Sequence, residues 1–294
     1  MLPLRNICRR GSSQVFLKLS ITTPSVSSLS PRSTRLISSP KQANCNMSLH
    51  SAACCSVPPV VSKDYAQKGK YETVDGLKTY VTGPSDAKKA ILVIFDIFGF
   101  FPQTIQGADI LAYGDKENQR QVFMPDWFEG SPADISWYPP DTKEKGEKLG
   151  AFFKNEAAPP KTLARIPKVI ESLKGLTSAT EWGIVGYCWG GKIVNLASQE
   201  GTLFKAAAAC HPAMTDPADA PKVAIPIAVL PSMDEDKDAV GKYEAALKVP
   251  HIVEWFPTQV HGWMAARSNL EDAEVKKEYE RGYKTLLDFF HQYL

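Results

Sequence analysis

The sequence predicts an α/β fold, a mostly parallel sheet with helices on both faces. Three observations carry that prediction. Short apolar runs of strand length recur along the chain, and stretches with helical spacing separate most of them. One run, Ala90-Ile91-Leu92-Val93-Ile94-Phe95, is apolar throughout, as in strands that helices bury on both faces. A second run, Trp182-Gly183-Ile184-Val185, leads straight into a glycine-flanked turn and then a helix-compatible segment at 192–199. The chain has 294 residues, 44% of them apolar, enough for a large core that needs no disulfides.

Residues 1–56 are expected to lie outside that core. The first 63 residues hold eight of the 34 basic residues and no Asp or Glu. An acid-free, Ser- and Arg-rich start has the composition of a mitochondrial transit peptide. Met47 offers a second start, which would yield a cytoplasmic form. The remaining 26 basic residues face 32 acidic ones, so the folded part is mildly acidic and carries no signature of a nucleic-acid partner. No apolar run is long enough for a transmembrane helix. The six cysteines (8, 45, 54, 55, 188 and 210) make no C-x-x-C pair and no Cys/His zinc spacing, which fits a reducing compartment and predicts no metal site.

The folded domain is expected over 57–294. Val74-Asp75-Gly76-Leu77 marks a hairpin turn between short strands. Further strands are expected at 122–124, 184–185, 206–210, 224–230 and 252–256. Helices are expected at 162–173, 192–199, 238–247 and 271–293. The last places Val275, Tyr279, Tyr283, Leu286, Leu287 and Phe290 on one face, as core packing. Residues 125–160, with Pro125-Asp126-Trp127-Phe128, Pro139-Pro140 and a Lys/Glu-rich run, break the rhythm and predict a loop or cap, the charges being solvated.

In a parallel sheet the site lies at the carboxyl ends of the strands. Gly186-Tyr187-Cys188-Trp189-Gly190-Gly191 falls at such an end. Strand, tight turn and helix form a nucleophile elbow, and its central residue here is a thiol. The turn is strained, and a larger neighbour would collide, hence the glycines. The helix N-terminus that follows favours thiolate over thiol. Cys188 is therefore the candidate nucleophile.

A thiolate nucleophile needs a base, and the base needs an orienting carboxylate. Of the five histidines, His211 and His261 follow strand-like runs, and His261 in Val260-His261-Gly262-Trp263 is the better placed. The carboxylate should follow strand 224–230, in Pro231-Ser232-Met233-Asp234-Glu235-Asp236. Asp234 is the choice, with Asp236 its competitor and the rest of the cluster a solvated turn. Cys188, Asp234 and His261 then follow the chain order of α/β-hydrolases, which refines the fold class to that fold. An oxyanion hole needs two backbone amides. One is expected from Trp189, after the nucleophile, and one from the loop 95–99.

Asp96-Ile97-Phe98-Gly99, the elbow 186–191 and His261-Gly262-Trp263 together resemble the dienelactone hydrolase family over roughly 71–294. The lead-in Cys54-Cys55 and Pro58-Pro59-Val60 is similar to its eukaryotic, fungal-type branch. The resemblance implies hydrolysis of a small-molecule ester or lactone through a thioester acyl-enzyme, with no metal and no cofactor. It implies Ile97 and Trp189 as the oxyanion hole. It also implies an auxiliary role for Asp96, which stands where the bacterial enzymes have Glu. Arg267 is offset from the family's substrate-gripping arginine. A broad carboxylesterase or thioesterase is the runner-up. A non-catalytic binding protein with a redox-sensitive Cys188 is the rival from another class.

Overall fold

The computed structural model describes residues 65–294. The expected leader at 1–56, its boundary at residue 57, Met47 and Cys54-Cys55 lie outside the described residues. Eight strands form one sheet: β1 (Lys70–Val74), β2 (Leu77–Thr82), β3 (Lys89–Ile94), β4 (Gln121–Pro125), β5 (Glu181–Tyr187), β6 (Ala206–Cys210), β7 (Ile227–Leu230) and β8 (His251–Val253). Their spatial order is β1-β2-β4-β3-β5-β6-β7-β8. The β1–β2 hairpin turns at Asp75-Gly76, and β2 pairs antiparallel with β4. Every pair from β4–β3 to β7–β8 is parallel.

Six helices follow: α1 (Pro102–Tyr113), α2 (Lys143–Lys154), α3 (Pro159–Lys174), α4 (Trp189–Ala197), α5 (Lys237–Ala246) and α6 (Ala273–Tyr293). Both faces of the sheet are covered. On β5 the Cα–Cβ direction of Gly183 points at Phe290 and Leu294, whereas that of Gly186 points at α4. Positions three apart on a strand face opposite ways, so α6 and α4 cover opposite faces. The central strands β3, β5, β6 and β7 are buried apart from Lys89 and Glu181 at their starts, which explains their largely apolar composition.

Two helices depart from the sequence reading. α1 was not expected, because it buries polar residues beside apolar ones: Gln103, Thr104 and Asp109 lie inside with Ile105 and Leu111. Asp109 is buried usefully. Its carboxylate accepts from Tyr65, Tyr80 and Thr82 hydroxyls and from the Lys68 amide, tying α1 to the first strands. The Lys/Glu-rich run inside 125–160 is helix α2, not a plain loop. Thr142 caps it by accepting from the Lys145 N–H, and Leu149, Phe152 and Phe153 are its buried stripe. Strand 224–230 shortens to β7 because Pro226 precedes it and cannot donate to a ladder. On α6, Tyr279, Tyr283, Leu286 and Phe290 are buried as expected and Phe289 joins them, while Val275 and Leu287 are half-buried.

The region 125–160 covers the ends of β3 and β5, as a cap would. Trp127 donates its indole N–H to the Val93 carbonyl, and Ala133 donates to the Ile97 carbonyl. The Phe128 ring sits 4.9 Å from that of Trp189.

Candidate active site

Cys188 lies between β5 and α4 with φ 55° and ψ −114°, a backbone conformation that L-residues rarely adopt. The surroundings impose it. A Cβ on Gly186 would stand 2.1 Å from the Gly190 carbonyl oxygen, and one on Gly190 would stand 2.2 Å from that of Ile94. Only glycines allow so close an approach, and that approach sets the start of α4 against the end of β3. The Cys188 amide donates to the Cys210 carbonyl at 3.1 Å, and its carbonyl accepts from Gly191 and Ala213. The thiol is thus buried at the positive end of α4.

The turns that carry the Trp189 and Ile97 amides are neighbours. Trp189 is the first residue of α4, and a first-turn N–H has no acceptor inside its own helix. Its indole is fixed by donating to the Ala157 carbonyl at 2.8 Å. After β3, Phe98 N–H donates to Asp96 Oδ1 and Gly99 N–H to the Asp96 carbonyl. Those bonds leave the Ile97 N–H outside the turn. Because β3 and β5 are neighbours, with Ile94 opposite Gly186, the Ile97 and Trp189 turns lie side by side.

His261 is fully buried, in the loop between β8 and α6. Its ring Nδ1 meets Glu235 Oε1 at 2.6 Å. That carboxylate belongs to Glu235, not to Asp234, and this corrects the sequence reading. Asp234 turns the other way along the chain: its Oδ2 accepts from the His261 backbone N–H at 2.8 Å. The competitor Asp236 caps α5, accepting from the amides of Asp238 and Ala239. Glu235 is further fixed because its second oxygen accepts from the Ser232 amide. Glu235 is buried, so it is not part of a solvated turn. Asp236 precedes a helix and could have been recognised as a cap from sequence; no local signal separates Asp234 from Glu235.

Asp96 is buried and bridges two loops. Its Oδ1 accepts from Phe98 N–H at 2.9 Å, and its Oδ2 from Ala266 N–H at 3.1 Å. Burial raises its pKa, and the two amides, Arg267 and His261 pull the other way. Asp96 therefore joins the Ile97 turn to the loop that carries His261. Arg267 is buried in the same loop. It donates to the His261 carbonyl at 3.3 Å, and its guanidinium lies 5.5 Å from the Phe98 ring and 5.4 Å from the Tyr138 ring.

A residue passed over in favour of His261 also belongs here. His211 follows the last residue of β6, is fully buried, and its ring centroid lies 5.2 Å from that of His261. Among the described residues no group of three His, Cys, Asp or Glu side chains is arranged to hold a metal ion. No helix of the described residues is long and apolar enough to cross a membrane.

This arrangement has relatives. An uncharacterized AIM2 family protein of Schizosaccharomyces pombe is 34% identical over 250 residues, covering 81% of this chain and 98% of that protein. The human carboxymethylenebutenolidase homolog is 26% identical, covering 79% of this chain and 94% of its own length. Among solved structures, dienelactone hydrolase from Anabaena variabilis matches with a TM-score of 0.53 at 15% identity, over 78% of this chain and 98% of that one. That likeness shows the α/β-hydrolase fold. The family model for dienelactone hydrolases matches residues 77–294, which takes in every strand from β2 onward and the whole Cys188–Glu235–His261 neighbourhood. The chain belongs to the dienelactone hydrolase family and is an ester or lactone hydrolase.

Proposed function

We propose that the protein hydrolyses a small-molecule ester or lactone through a Cys188–Glu235–His261 triad and a thioester acyl-enzyme. The observation that carries this reading is the strained Cys188 turn beside a His261–Glu235 pair held at 2.6 Å. Cys188 and His261 are linked through His211, which follows the Cys210 carbonyl that Cys188 bonds and whose ring packs on His261.

Each step has a residue. The Cys188 thiolate attacks the acyl carbonyl carbon, and the carbonyl π pair moves onto oxygen. The Ile97 and Trp189 amides receive that negative charge. Collapse of the tetrahedral intermediate breaks the acyl C–O bond, and protonated His261 gives its proton to the departing alkoxide. His261, held by Glu235, then takes a proton from water as that water attacks the thioester. Thiolate leaves, and the acid is released. Glu235 keeps the Nδ1 proton in place, so that the other ring nitrogen faces the chemistry. Asp96 supports the hole by tying the Ile97 turn to the His261 loop.

The test uses wild type and Cys188→Ala with a short p-nitrophenyl ester and a cis-dienelactone. Turnover by wild type alone, with an acyl adduct on Cys188 seen by mass spectrometry, supports the reading. Equal turnover by the variant contradicts it. The ratio between the two substrates separates a lactonase from a broad esterase. The acid-free residues 1–63 also support import into mitochondria, which a fluorescent fusion of that segment tests. A fusion that stays in the cytoplasm contradicts it.

A further inference from the structure

His211 is the one buried imidazole of the site that the triad does not use. It stands at the end of β6, and Cys210 pairs with Tyr187, so His211 and Cys188 continue side by side beyond the strand ends. The His211 ring packs edge-on against the His261 ring, centroids 5.2 Å apart, beside the turn that carries Cys188. The backbone is forced there, with φ 36° at a residue that is not glycine.

The ring is fully buried, yet neither of its nitrogens makes a well-formed hydrogen bond to another residue, its own backbone being the one polar group at hand. A buried polar group left in that condition costs about 1–3 kcal/mol. Packing alone would be served better by Phe or Leu. The neighbours do not supply the bond. The Tyr187 ring is 5.9 Å away, and its hydroxyl accepts from Tyr283. The facing His261 ring has Nδ1 committed to Glu235. Burial, with His261 and Arg267 nearby, holds the His211 pKa well below its usual value. It therefore offers one N–H donor and one nitrogen acceptor, which suits a neutral oxygen group.

We propose that His211 is a specificity-determining residue that hydrogen-bonds a hydroxyl or carbonyl oxygen carried by the acyl group, one or two carbons from the reacting carbonyl. The substrates it favours are esters or lactones of hydroxy or oxo acids over those of plain alkanoic acids. This deepens the proposed hydrolase reading and rests on it.

The test compares kcat/KM for p-nitrophenyl butanoate with that for its 2- and 3-hydroxy counterparts. Wild type should favour the better hydroxylated ester by at least about tenfold, and His211→Leu should remove most of that preference. His211→Asn tolerates the left-handed backbone and keeps a donor, so its preference should fall between the two. A purely structural role would lower all three esters together, and that result overturns the proposal. If the leucine variant fails to fold, wild type decides alone: equal rates on plain and hydroxylated esters overturn it. Wild type inactive on every ester removes the hydrolase reading and this inference with it, whereas an unchanged ratio removes only the inference.

Discussion

The Cys188 turn and the Glu235 turn both follow strands of one sheet, but different forces hold them. Around Cys188 the constraint is backbone against backbone. Gly186 and Gly190 close on carbonyls that would meet a Cβ at 2.1 and 2.2 Å. Around Glu235 the constraint is side chain against side chain. Three successive carboxylates leave the loop after β7, and each finds a different partner: the His261 amide, the His261 ring and the first amides of α5. A residue held by backbone strain has few alternatives. A residue chosen by a tertiary contact has neighbours that are nearly its equal. The first turn should therefore fail abruptly when altered, and the second one carboxylate at a time.

The largest effect is expected at the thiol. Cys188→Ala should lose about 10,000-fold or more in kcat, because nothing else in the turn can attack. Its melting temperature should stay near that of wild type. Retained turnover would move the nucleophile elsewhere. The backbone claim is tested by Gly190→Ala, whose methyl would stand 2.2 Å from the Ile94 oxygen. We expect a loss of about 3 kcal/mol in urea unfolding. A neutral substitution would mean that the elbow has room the structure does not show.

His211 sits between the two turns and gives a pH test. Its folded pKa is held well below 6.5 by burial first, then by His261 and Arg267. Below pH 6.5 the unfolded chain binds a proton that the folded protein refuses, so this contribution is complete above that pH and is lost as pH falls. The slope is at most about 1.4 kcal/mol per pH unit. In His211→Asn the stability should therefore decline less steeply on acidification below pH 6.5, and equal slopes would contradict the assignment. The smallest effect separates the acid cluster. Asp236→Ala should lower stability by about 1 kcal/mol through the lost cap on α5, with kcat unchanged. A large fall in kcat would return Asp236 to the site.

The legible parts of the chain share a cause. The runs that became β3, β5 and β6 are apolar because both faces are covered, and the elbow is glycine-flanked because its backbone allows nothing else. The place of His261 in the fold was legible because it follows the last strand and precedes the terminal helix. What stayed hidden depends on distant partners. α1 does not look amphipathic, since Asp109 is buried against hydroxyls that come from Tyr65, Tyr80 and Thr82. α2 looks like a solvated charge run until Leu149, Phe152 and Phe153 find the core. Glu235 could not be told from Asp234 because the ring it faces arrives from 26 residues downstream.

The most direct test of the account compares Glu235→Gln with Asp234→Asn at one pH, by kcat on a single activated ester. Glu235→Gln removes the charge against the imidazole and should cost about 100- to 10,000-fold. Asp234→Asn keeps an oxygen that can accept the His261 amide and should stay within about tenfold of wild type. The reverse ranking would make Asp234 the triad acid and would contradict the assignment of Glu235.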